Sequence, residues 1–231
     1  MNKLSGKSLE NSDIERNINL YSKALELDSN DVNAMKALGF CYKDLGKVEL
    51  AIRYFSLAKK SAPFDCTLYY ELGLLEAEKK NFIKAIKLFM NAIKLSPDYI
   101  DAINAMADAH VEIEEFDMAE MIYMKILEKT PCDINVYSSL GHLYIKTGDL
   151  KKALNCFRDI LSFDENNAEA YLGLAKTLEM ANKVIEARRY YRKYLKLSPL
   201  SENRKFVLEK LEKTRIQKKS SEIRKTYLKL V

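Results

Sequence analysis

The sequence predicts an all-α protein built as an array of helical hairpins, and three observations carry that prediction. The first is proline: the chain has only four, and Pro63, Pro97, Pro131 and Pro199 all fall on one grid of 34 residues. A fixed period of roughly 20–50 residues marks a stack of similar supersecondary units. The second is helical periodicity within a period: Tyr69, Leu72, Gly73 and Glu76 share one face by i, i+3, i+4, i+7 spacing, and Ala85, Phe89 and Ala92 share another. The third is a recurring order of side-chain sizes. A small slot in each first helix holds Gly39, Gly73, Ala107, Gly141 and Ala175. An alanine opens each second helix (Ala51, Ala85, Ala119, Ala153, Ala187), followed by an aromatic (Phe55, Phe89, Tyr123, Phe157, Tyr191).

Taken in order, residues 1–11 lack apolar periodicity and contain Gly6, which reads as a flexible N-terminal tail. Ser12 and Glu15 have capping-box spacing, so a helix is expected from there to about Leu27. Residues 12–31 resemble the second half of a hairpin: Tyr21 and Ala24 sit in the aromatic and small slots, with Asn17 where alanine is expected. The apolar face of this helix needs cover from the hairpin beginning at Val32.

Five full units follow, 32–65, 66–99, 100–133, 134–167 and 168–201. Asp31, Asp65, Asp98, Asp133 and Asn167 are the expected N-caps, because their side chains can accept from unpaired first-turn N–H groups. Gly46, Gly148 and Asn182 suit the tight turns inside hairpins, and Lys79, Lys80 and Asn81 form a polar turn in the second unit. Prolines close the second helices, since proline has no N–H and forces its predecessor out of helical angles. Ile126, Ile160 and Tyr194 fill a slot that is small elsewhere, which predicts wider local helix spacing; Glu165 replaces the proline of its unit. Ser201 is expected to cap a terminal helix over 202–217, whose Phe206, Val207, Leu208 and Leu211 cover the last hairpin. Residues 218–231 read as a basic tail.

The ordered large, small, aromatic and proline slots resemble the tetratricopeptide repeat over about three quarters of the chain. That resemblance implies a right-handed α-solenoid, or superhelix, of paired helices with no catalytic role. Its first helices line a concave groove that takes a partner protein, as an extended peptide or an amphipathic helix. Carried onto this sequence, the groove positions are Asn33, Lys36, Phe40, Lys43, Tyr70, Glu71, Leu74, Asn104, Asp108, Ser138, His142, Ile145, Leu172 and Lys176. Phe40, Tyr70, Leu74 and Leu172 are apolar where the hairpin core does not call for it, so they are the expected anchors. One specialised subclass does not match. The repeats that hold acidic chaperone C-termini use a clamp of Lys, Asn and Arg; here Lys36 fits, but Phe40, Glu71, Asp101 and Ala105 take the remaining slots.

Composition agrees with a protein free of membrane spans: 48% hydrophobic residues suffice for a core, 31% are charged, and no apolar run approaches the ~18 residues a span needs. The opening stretch has no secretory h-region, and the four cysteines are scattered, with Cys41 and Cys156 on interior faces. A cytoplasmic location is the resulting expectation. No glycine-rich phosphate loop, metal-ligand cluster or catalytic set is legible, so no enzyme and no cofactor are expected. His110 takes a slot filled by Tyr42 and Tyr144, which marks it as a packing residue, and the carboxylates read as exterior. Charge is asymmetric. Residues 1–182 carry 22 basic and 28 acidic side chains, whereas 183–231 carry 16 and 5. Arg188, Arg189, Arg192, Lys193, Arg204, Lys205, Lys218, Lys219, Arg224 and Lys225 compose a basic patch suited to nucleic acid or an anionic membrane, the alternative to protein binding. End-to-end self-association of the oppositely charged ends is a third reading.

Overall fold

A computed structural model describes the backbone of residues 3–213 and the side chains of residues 13–213. Every regular element among the described residues is a helix, as the period requires. The chain divides into two compact units, Met1–Ile122 and Tyr123–Val231.

The first unit contains α1 (Lys3–Leu27), α2 (Val32–Asp44), α3 (Val48–Ser61), α4 (Cys66–Glu78), α5 (Phe82–Leu95), α6 (Ile100–Glu112) and the start of α7 (Phe116–Lys129). α2 pairs with α3 and α4 with α5; α3 also packs on α4, and α5 on α6, so the hairpins nest on one another. Their shared interior is Leu38, Ala51, Phe55, Leu68, Leu72, Leu75, Ala85 and Phe89, all nearly or wholly buried. Each such aromatic or leucine contributes about 1.5–3 kcal/mol by leaving water. α1 lies on α2 and brings Leu25 against this core, which is the cover expected for the half unit. Its other side carries the exposed Leu20. The helix begins at Lys3, not after Ser12, so Ser12 lies inside it and residues 3–11 continue the helix where an irregular tail was expected. Gly6 costs a helix only about 1 kcal/mol and does not stop it.

The second unit contains the rest of α7, then α8 (Ile134–Thr147), α9 (Leu150–Phe163), α10 (Ala168–Met180), α11 (Val184–Leu197) and α12 (residues 204–213). α8 pairs with α9 and α10 with α11, and α10 also packs on α8 and α9. Phe157, Leu140, Leu143, Tyr191 and Tyr194 fill its centre, and Val207 of α12 is fully buried. Ile126, Ile160 and Tyr194 are themselves buried at their larger-than-usual slot. The Tyr194 hydroxyl is buried without a hydrogen-bond partner.

Local chemistry sets the boundaries. Asp31, Asp65, Asp133 and Asn167 cap α2, α4, α8 and α10 by accepting from first-turn N–H groups. Asp98 does not cap α6: the cap position is Tyr99, with no side-chain bond. Nor does Ser201 cap the terminal helix. α12 begins three residues later, and the Ser201 hydroxyl is buried without a partner. Hairpins turn on a left-handed residue at Gly46 (φ 67°), Lys80 (62°), Glu114 (64°), Gly148 (83°) and Asn182 (58°), a spacing of one repeat each time. Among the described residues no helix is long and apolar enough to cross a membrane.

Candidate functional site: the first-helix faces

Nesting commits one side of each first helix to its hairpin partner, which leaves the opposite side to carry the candidate positions. In the first unit those positions come from α2, α4 and α6. Phe40 remains 39% exposed while its ring meets Phe55 edge-on, with centroids 5.1 Å apart. Tyr70 and Leu74 are half-buried against the cluster around Phe89 and Ala85. Asn33 is exposed. Lys36 is held by Asp65 at 2.7 Å and donates to the Thr67 hydroxyl at 3.2 Å, and Lys43 pairs with Glu71 at 2.6 Å. Both lysines are therefore neutralised within the chain and tie α2 to the head and middle of α4.

One repeat further on, the two slots of the Lys36–Asp65 ion pair hold Tyr70 and Tyr99, and a ring contact replaces the ion pair. Their centroids lie 5.0 Å apart at 49°, and Tyr70 also meets Phe89 at 6.1 Å. Tyr99 was not expected here, although the anomaly is visible in the sequence. It occupies the cap slot that is Asp31, Asp65, Asp133 or Asn167 elsewhere. A side-chain cap is worth about 0.5–2 kcal/mol, and α6 forgoes it. Carboxylates surround the pair. Burial, then the charges of Asp101, Glu71 and Asp108, raise the Tyr70 hydroxyl above its ordinary value. Burial, then Tyr70, Asp101, Cys66 and Glu71, push Tyr99 up to about 12. Asp101, Asn104 and Asp108 share a face of α6 by i, i+3, i+7 spacing; both aspartates are exposed. Asn104 Oδ1 is buried without a hydrogen-bond donor, an arrangement that costs about 1–3 kcal/mol.

In the second unit the candidates come from α8 and α10. His142 is exposed; its Nδ1 lies 2.8 Å from the Ser138 carbonyl oxygen, and its ring stands edge-on to Phe157. Ser138 and Ile145 are half-buried. Lys176 lies over the Phe206 ring at 5.8 Å. Leu172 is a correction: expected as a surface anchor, it is 2% exposed. α10 packs among α8, α9 and α11, and its residues 170, 172–175, 177 and 178 are all buried, so it has hardly any free face.

One further expectation changes. Carboxylates are not all exterior: Glu76 is 3% exposed, bonded to Lys84 at 2.7 Å and to Asn81 at 2.9 Å. His110 occupies the slot equivalent to Glu76, and its Nδ1 faces Glu115 at 2.6 Å. Among the basic-patch residues, Arg189, Arg192, Lys193 and Lys205 are exposed, and Arg204 donates to the Pro199 carbonyl. Arg188 is half-buried with Nε unpartnered. Lys218, Lys219, Arg224 and Lys225 lie outside the described residues. No metal-holding cluster occurs among the described residues. Cys41 and Cys156 are buried as expected, and burial pushes the Cys41 thiol up.

Comparison with known proteins gives the same architecture. The anaphase-promoting complex subunit CDC16 of Saccharomyces cerevisiae is 29% identical over 150 residues, covering 62% of this chain and 18% of that protein. The chain spans a fifth or less of the first curated relatives it matches. Among solved structures, the type IV pilus biogenesis factor PilW matches with a TM-score of 0.75 at 19% identity, covering 89% of this chain and 96% of that one. YrrB, described as having an unusual peptide-binding site, matches with a TM-score of 0.57 at 18% identity, covering 82% and 97%. These identities speak for the fold alone. Tetratricopeptide repeat models match residues 20–53, 67–99 and 139–202, and the chain belongs to the tetratricopeptide repeat proteins.

Proposed function

We propose that this chain is a non-enzymatic scaffold that docks a partner protein on its first-helix faces, principally that of the first unit. The fold supports protein–protein interaction in general. The observation that carries the finer reading is Phe40, a large aromatic left 39% exposed on α2, with Tyr70 and Leu74 half-buried on α4, all on helices already committed to a stable core. Aromatic side chains that a partner can desolvate at the centre of its contact are frequent anchors of binding energy. The pairing of Lys36 with Asp65 and Lys43 with Glu71 favours apolar and polar contacts over a lysine clamp for a carboxylate. The docked segment is an extended peptide or an amphipathic helix.

The test is capture of the cellular partner by the full chain and by Phe40→Ala/Tyr70→Ala, with circular dichroism on both. Loss of capture with unchanged helicity is expected; undiminished capture removes the groove from the account. A second reading, attachment to a polyanion, draws on the exposed Arg189, Arg192, Lys193 and Lys205. It predicts binding that falls steeply with salt and with neutralisation of those four.

A further inference from the structure

We propose that the outward face of α5, in the first unit, is a contact surface for membranes rich in anionic phospholipid. It is a different surface from the first-helix faces, and it stands or falls independently of the docking reading.

Charge in the first unit is sorted by helix. α4 and α6 carry three carboxylates each and no lysine or arginine, whereas α5 carries Lys84, Lys87 and Lys94 and no carboxylate. α3 is sorted like α5: Arg53, Lys59 and Lys60 stand against the single Glu49, which Lys79 already holds at 2.7 Å. The net acidity of residues 1–182 conceals this basic helix. Lys84 is bonded to the buried Glu76 at 2.7 Å. Among the described residues no carboxylate pairs with Lys87, with Lys94, or with Lys80 in the turn before α5.

Apolar side chains share that face. Ala85, Phe89 and Ala92 are wholly buried, which turns the opposite side of α5 outward. There Ile83, Lys87, Met90 and Lys94 follow one another at i, i+4, i+7 and i+11, all exposed. Ile83 is 67% exposed and Met90 57%, so two aliphatic tips alternate with unpaired ammonium groups. Against a bilayer the tips enter the acyl boundary, while the lysine stems lie along it and their charged heads reach the phosphates. Beside them opens a hollow of about 590 Å³, lined by Lys80, Phe82, Ile83, Lys84, Lys87 and Ile113. Its lysines are exposed and Phe82 and Ile113 half-buried, a setting for an anionic headgroup with apolar surface beneath it. Lysines clustered on an amphipathic helix are attracted to acidic leaflets. Nucleic acid fits less well: Phe82 and Phe89 are not exposed to stack a base, and α5 has no arginine to fork onto one.

The experiment floats the full chain with vesicles of phosphatidylcholine alone and with vesicles in which phosphatidylserine replaces part of it. Partition onto the phosphatidylserine vesicles, roughly tenfold or more above phosphatidylcholine alone and weakened by salt, is expected. Lys80→Gln/Lys87→Gln/Lys94→Gln should lower it roughly tenfold or more. Ile83→Ser/Met90→Ser should lower it about threefold or more. All five residues are exposed, so helicity and thermal midpoint should stay at their wild-type values in both variants. Arg189→Gln/Arg192→Gln/Lys205→Gln, which removes the same charge from the second unit, should keep most of the partition. No partition onto the anionic vesicles, or equal loss from the two triple variants, overturns the proposal. So does partition indifferent to Ile83→Ser/Met90→Ser together with capture of a short single-stranded oligonucleotide that needs the same three lysines; α5 is then a nucleic-acid surface.

Discussion

Gly73 of α4 sits directly against the ring of Phe89 in α5, so close that any Cβ at residue 73 would overlap the ring atoms. The relation repeats within other hairpins: a Cβ on Gly39 would come within 2.6 Å of Phe55, and one on Gly141 within 2.7 Å of Phe157. The small and aromatic slots read from the sequence are thus two halves of one contact. Gly73→Leu should lower stability by about 1–3 kcal/mol, because a well-packed interior has no room to yield. Thermal or urea unfolding checks this, and an unchanged midpoint would mean the crossing is looser than described.

The hairpin turns invite the opposite kind of change. Lys80 and Glu114 hold φ near +60°, where a Cβ is strained by roughly 1–2 kcal/mol and glycine is not. Gly46 and Gly148 already serve the equivalent positions. Lys80→Gly and Glu114→Gly should each stabilise by about 0.5–1 kcal/mol once glycine's greater unfolded entropy is deducted. Chemical denaturation of both single variants provides the measurement; destabilisation by either would contradict the strain.

Glu76 makes stability depend on acid. Burial alone pushes its carboxyl up, but the bonds from Lys84 and Asn81, with the charges of Lys84 and Lys79, hold it below its ordinary value of 4.5. A carboxyl lowered by folding contributes stability that is present above 4.5 and lost as pH falls through the folded value. Lys84→Met should cost about 1–3 kcal/mol at neutral pH, toward the lower end because the ammonium is 65% exposed. The gap from wild type should narrow as pH falls below 4.5. Unfolding curves at pH 7 and pH 3.5 decide it: a gap that is the same at both would exclude the carboxylate as its source.

Architecture was readable in the sequence because packing leaves a periodic trace. Gly73 and Phe89 must be small and large together, so the slots announce the hairpins without coordinates. Individual surroundings leave a weaker trace. Leu172 stands in the same slot as Tyr70, yet α10 is enclosed by its neighbours and buries it. Asp98 looked like a cap because the residue type was right, but the grid slot belonged to Tyr99. Glu76 is a carboxylate on a core-facing stripe, and the bonds it receives from Asn81 and from Lys84 of the next helix make its burial tolerable. Contacts between residues far apart in the chain decide such cases, and periodicity does not record them.

The docking face itself is tested most directly by a photocrosslinker. A benzophenone amino acid replaces Phe40 on the proposed face or Ile83, 67% exposed on α5, in otherwise wild-type chains. Irradiation with cellular protein should yield a discrete covalent adduct from position 40 that disappears when Tyr70→Ala is added, and none from position 83. Adducts from position 83 alone, or the same adduct from both positions, would contradict the account.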